Sequence, residues 1–169
     1  KLNNLKQAAK TMNFLTEHGI SSYGELESKL TAISARRDTA HAEIKRIESR
    51  SAELALVMKH AGTYRQLKPL YDRYRKSNDK EKFLRGHESE IILFEAAARE
   101  LKRLGAVPLP TTESMKTELA NLNAEKERLL AEYKTARTEA QEYETVKQNV
   151  DALLAVPKEQ EQQRRHELE

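Results

Sequence analysis

The stretch LESKLTAISARRDTAHAEIKRIESRSAELALVMKHA, from Leu26 to Ala61, decides the fold. At steps alternately four and three residues apart it gives Leu26, Leu30, Ile33, Arg37, Ala40, Ile44, Ile47, Ser51, Leu54, Met58 and Ala61, nine of eleven apolar. The chain is 38% hydrophobic, so about four would be apolar by chance, and a mean spacing near 3.5 is the period of a helix burying one seam. A second run behaves alike: Met115, Leu119, Leu122, Lys126, Leu129, Tyr133, Ala136, Ala140, Tyr143, Lys147, Val150 and Leu154, ten of twelve apolar. Each seam lasts about five heptads, roughly 55 Å at 1.5 Å per residue.

Two seams of equal length joined by about fifty residues predict an antiparallel coiled-coil hairpin within one chain, an all-α fold. If Ala61 faces Met115, one register sets Leu54 against Leu122, Ile47 against Leu129, Ala40 against Ala136, Ile33 against Tyr143 and Leu26 against Val150. Ser51 then lies opposite Lys126, and Arg37 opposite Ala140, beside Glu139 and Glu142. Either run could instead seek a second copy, so the expectation is a monomer or a homodimer.

Outward from the arms, Leu2, Leu5, Ala9, Met12 and Leu15 recur at helical spacing, and Gly19 follows as a stop, so residues 1–19 should form a short helix. Ser22 with Glu25 is a capping-box pattern that opens the first arm, 22–61. Residues 62–112 read as an inserted end domain. Gly62 and Pro69 should interrupt the long helix, and Tyr64, Leu67, Leu70, Tyr71 and Tyr74 resume helical spacing after them. Asn78-Asp79 caps a short piece ended by Gly86, and Ile91, Phe94, Ala98 and Leu101 give a further helix stopped by Gly105. Pro108 and Pro110 mark a loop before Thr111 or Thr112 caps the second arm, 113–155. The polar tail, 156–169, should fray. A start at Lys1 and a Leu168-Glu169 end read as a piece excised from a longer protein, with the last residues left from cloning.

Composition narrows the chemistry. Of 169 residues 34% are charged and 5% aromatic, with no Cys, no Trp, five Gly and four Pro. Zero Cys excludes disulfides, thiolate zinc sites and a cysteine nucleophile, and favours a reducing cytoplasm. No stretch approaches a membrane span, so no membrane partner is expected. The histidines, His18, His41, His60, His87 and His166, show no chelating spacing; His87 with Glu88, Glu90 and Glu95 reads as a solvated helix start. No glycine loop for phosphate and no triad spacing appear. The expectation is therefore no enzyme activity in this piece, no cofactor, no metal and no catalytic residue.

Charge is uneven. From Lys59 to His87 nine Lys and Arg face three Asp and Glu, a net of +6 within a chain of +3. Arg65, Lys68, Arg73, Arg75, Lys76, Lys80, Lys82 and Arg85, interleaved with Tyr71 and Tyr74, make the candidate DNA-binding set: cations neutralise phosphates and rings stack on bases. Against this stands the plainer possibility that the tyrosines form the core of the end domain while the cations solvate it.

Two segments carry a resemblance. TYRQLKPLYDRYRKSNDKEKFLRGHESEIILFEAA, Thr63 to Ala97, and ESMKTELANLNAEKERLLAEYKTARTEAQEYETVKQNVDALL, Glu113 to Leu154, resemble the C-terminal helical region of relaxases, the mobilization nucleases of Gram-positive conjugative and mobilizable elements. Leu2 to Leu30 resembles the start of that region. The pattern Tyr-Arg-x-x-Lys-Pro-x-Tyr at Tyr64–Tyr71 and the run His87–Leu93 lie outside heptad filler. The resemblance implies a bacterial cytoplasmic protein whose nicking tyrosine and histidine-bound metal belong to an N-terminal domain with no counterpart in these residues. It implies for this piece accessory DNA contacts or docking to a relaxosome or coupling protein. The alternative is a structural coiled-coil interaction module without DNA contact.

Overall fold

The computed structural model describes the backbone of residues 2–166 and the side chains of residues 4–155. Among the described residues four helices follow one another: α1, Leu2–Glu17; α2, Tyr23–Lys76; α3, Lys80–Arg103; and α4, Thr112–His166. Among the described residues there is no strand, and the fold is all-α. The chain divides into two compact units, Lys1–Glu43 with Arg128–Glu169, and Ile44–Glu127. The division falls inside α2 and α4, whereas the sequence suggested boundaries near 62 and 112.

In the first unit α2 and α4 pair in opposite order along the chain. Tyr23 donates its hydroxyl to Asp151 at 2.6 Å, Lys147 lies 3.9 Å from Glu27, Arg36 pairs with Glu139, and the rings of His41 and Tyr133 stand 5.6 Å apart. Ile20, Leu26, Tyr143 and Val146 are buried together, with Phe14, Leu15, Leu30, Ile33 and Val150 against them. The second unit shows the same antiparallel sense: Lys126 to Glu48 at 3.0 Å, Arg50 to Glu118 at 2.7 Å. Its core gathers Leu54, Val57, Ala61, Leu101, Ala106 and Met115, joined by Leu119 and Leu122.

The heptad reading located most buried positions of both long helices, but not Val57 and Val146, which are also buried. Each is three residues beyond a buried seam residue, Leu54 or Tyr143. A third helix explains both: α3 covers α2 in one unit and α1 covers α4 in the other, so the apolar stripe widens beyond a two-helix seam. The third helices end by the same device. Gly19 and Gly105 adopt φ of 60° and 69°, a left-handed conformation that glycine takes without steric penalty. After α1 the Ile20 amide reaches Leu15 O at 2.8 Å, and after α3 the Ala106 amide reaches Leu101 O at 2.9 Å. These are Schellman closures whose following residue, Ile20 or Ala106, seats in the core.

Several expectations are corrected. Gly62 and Pro69 do not interrupt α2, which stays helical to Lys76. Pro69 and Arg65 are exposed, so the residue 65 carbonyl that loses its amide donor is on a face open to water. The break placed at Gly86 appears one residue later, as non-helical angles at His87 inside α3. Ala97, not Ala98, is the buried alanine of α3. In the capping box Glu25 accepts from the Ser21 amide at 2.7 Å, one residue before the expected partner, while its own amide donates to Ser22 at 3.2 Å as expected. Arg37, expected to lie beside Glu139 and Glu142, pairs with Asp38 at 2.8 Å and lies 4.0 Å from Glu144. The face of α1 is also different. Thr11 is buried, whereas Leu5 and Met12 are 70% and 58% exposed, because Asn149 of α4 donates to the Thr11 hydroxyl and draws that side of the helix inward. Helix α4 runs on through Pro157 to His166, where the polar tail was expected to fray; residues 167–169 lie outside the described residues.

Ile47 is fully buried, so Ile47→Asn should destabilise by about 3 kcal/mol through lost burial and an unpaired amide. Half-buried Ser51→Ala should change stability by less than about 0.5 kcal/mol. Pro69→Ala should stabilise by about 1–2 kcal/mol, since it restores a helical hydrogen bond at an exposed site. Urea unfolding followed by circular dichroism measures all three, and a destabilised Pro69→Ala would show that α2 needs the proline.

Candidate functional site

The candidate residues lie on the end of α2, the turn Ser77–Asp79 and the start of α3, all within the second unit. The turn is locally determined. Ser77 Oγ accepts from the Asp79 amide at 3.2 Å, and the Asp79 carboxylate caps α3 by accepting from the Lys82 amide at 3.0 Å. Helix α2 therefore stops at Lys76 and α3 begins at Lys80, bringing the cations on both sides of a three-residue turn together.

Beneath them runs a chain of ring contacts. Phe94 of α3 stacks on Tyr64 at 4.7 Å and on Tyr71 at 4.1 Å. Tyr71 meets Tyr74 at 5.9 Å, Tyr74 meets Phe83 at 6.1 Å, and Phe83 meets His87 at 4.9 Å. Tyr71 and Tyr74 are half-buried, so these two proposed stacking rings are engaged in packing α2 on α3. The Tyr71 hydroxyl also donates to Glu95 at 3.4 Å, and burial, aided by the Glu95 charge, pushes its pKa above the usual phenol value.

The cations separate into two groups. Arg65 donates to Thr112 Oγ1 at 2.9 Å and to the Pro110 carbonyl, tying α2 to the loop before α4. Lys68 bridges Asp72 at 3.0 Å, and Arg85 lies 3.6 Å from Glu81. Arg73, Arg75, Lys76, Lys80 and Lys82 are all exposed and form no ion pair with a described residue. The candidate set thus narrows to five free cations around one turn. Arg73, Arg75 and Lys76 suit the negative end of the α2 dipole, but Lys80 and Lys82 occupy the first turn of α3, where positive charge is unfavourable. Stability alone gives no reason for them.

Among the described residues no group of three His, Asp or Glu is arranged to hold a metal ion. His87 Nδ1 is buried without a hydrogen-bond partner; Glu90, at 3.6 Å, is too distant to accept from it. No described helix is long and apolar enough to cross a membrane. Sequence reading missed the structural part of Arg65, whose signal was the Pro110 carbonyl and Thr112 hydroxyl left open at a helix entry. It also missed Phe94 as the centre of the ring chain. Comparison with protein families, curated proteins and solved structures gives no match for this chain.

Tyr71 and Tyr143 both have pKa values raised chiefly by burial. Their burial contributes fully below the ordinary phenol value and is lost as pH rises through the raised values. An ultraviolet titration of tyrosinate absorbance should show ionisation above the ordinary phenol range, and Tyr71→Phe should reduce that late absorbance.

Proposed function

We propose that this chain is a non-catalytic helical module of a DNA-mobilizing relaxase and that it holds nucleic acid at the turn between α2 and α3. The observation carrying the DNA contact is the group of five exposed cations, Arg73, Arg75, Lys76, Lys80 and Lys82, which form no ion pair with a described residue. Long cationic side chains without acidic partners can neutralise several phosphates at once and release their counterions. The relaxase assignment rests on the resemblance of Thr63–Ala97 and Glu113–Leu154, and the module would support transfer-origin contacts in a bacterial cytoplasm. A protein-docking module, for a relaxosome or coupling protein, is the second reading; the exposed Ile92 and Leu93 of α3, each 54% accessible, favour it.

Reversal of Arg73, Arg75, Lys76 and Lys80 to Glu should lower DNA affinity by roughly 100-fold or more at 50 mM salt and reduce the slope of log affinity against log salt by about 3–4. Four reversals at the exposed Lys10, Lys116, Lys134 and Arg137 should leave that slope within about one unit. Fluorescence anisotropy with labelled DNA, beside circular dichroism of each variant, checks this. Wild-type chain that leaves DNA free at 50 mM salt and micromolar protein removes the DNA contact and leaves the docking module.

A further inference from the structure

The cations and the rings of residues 64–87 suggested by composition a surface that grips phosphates and stacks bases together. The structure separates the two. Tyr64, Tyr71, Tyr74 and Phe83 each contact another ring of α2 or α3, and Phe94 is stacked by tyrosines on both sides. Single-strand binders gain much of their affinity from open aromatic faces on which unpaired bases lie. At this turn the five cations are exposed, beside the acidic Asp79 and Glu81, while the rings are half-buried against one another.

On the reading that the turn binds nucleic acid, we infer that its ligand is duplex DNA held by the backbone phosphates, in preference to a single strand. Double-stranded DNA presents one charge per about 1.7 Å of axis, so its phosphates offer a denser array to a compact cation cluster than a flexible strand does. The five cations lie within ten residues of sequence, three before the turn Ser77–Asp79 and two after it. The duplex asks nothing of the rings beneath. Backbone contact of this kind carries no direct base readout, so binding is insensitive to sequence.

The test uses the whole chain with two fluorescein-labelled probes, a 20-base-pair duplex of mixed sequence and a 20-residue oligo-dT. Anisotropy is followed from 50 to 200 mM NaCl. If the five cations each neutralise one phosphate, duplex affinity should fall roughly 500-fold over that range, and any oligo-dT binding should fall roughly 130-fold from a weaker start. The chain has six tyrosines and no tryptophan, so its intrinsic emission reports on the rings directly. That emission, corrected for DNA absorbance, should be unchanged when unlabelled duplex is added. A second duplex of different sequence should bind within about twofold. Tighter binding of oligo-dT, or tyrosine emission quenched by the duplex, overturns the inference while leaving nucleic-acid binding intact. If neither probe binds at 50 mM salt, the nucleic-acid reading itself fails, and the duplex preference fails with it.

Discussion

The second unit depends on the Phe94 ring held between Tyr64 and Tyr71. These tyrosines are two helical turns apart on α2, with Pro69 between them. A proline in a helix interior costs about 3 kcal/mol through its lost donor and its clash with the preceding turn. Burying Phe94 contributes roughly 2–3 kcal/mol, and each stacked pair adds about 0.5–1.5 kcal/mol. The aromatic contacts therefore outweigh the proline, provided that both tyrosines keep helical phase across it. One ring thus keeps α2 helical to Lys76, docks α3 alongside it and fixes where the turn between them projects its cations.

The two units reach similar packing from different sequences. In each a shorter helix lies on the α2 and α4 pair, ends in a left-handed glycine, and inserts the next residue into the core. In the first unit polar ties accompany the packing. Asn149 links Thr11 and Gln7, and Lys147 lies between Asp151, Glu27 and the Tyr23 ring. These ties explain why α1 turns Thr11 inward and leaves Leu5 and Met12 outside, against the simple amphipathic reading. Burying a threonine is tolerable only because its hydroxyl is paired.

Helical class and the seam positions were legible because a 3.5-residue period is written into the residues that become buried, from Leu26 through Ala61 and from Met115 through Val150. Helix ends with a local chemical cause were legible too: Gly19, Gly105, Asp79 and Thr111 act through hydrogen bonds within a few residues. Pro69 and Gly62 misled because their local preferences were overruled by contacts from residues thirty positions away, which no window of sequence contains. Val57 and Val146 were hidden for the same reason, since only the arrival of a third helix makes their side of α2 or α4 an interior. Of the candidate site, charge was legible and availability was not. Arg65, Lys68 and Arg85 look like Arg73 and Lys80 in a composition count, and only placement shows which have found partners.

That distinction bears on how the charge cluster can be tolerated. Lys80 and Lys82 oppose the α3 dipole, and their repulsion from Arg73, Arg75 and Lys76 acts across a turn of three residues. At physiological salt the screening length is about 8 Å, so repulsion between exposed groups is damped. Asp79 offsets part of it while capping α3, and the ring chain beneath anchors both helix ends without using any of the five cations. The residues that hold the turn together are therefore different from those that charge it. Such a division lets the cluster keep its unpaired positive charge, because the folding of α2 on α3 does not depend on neutralising it, and an arriving polyanion would relieve repulsion that the isolated chain retains.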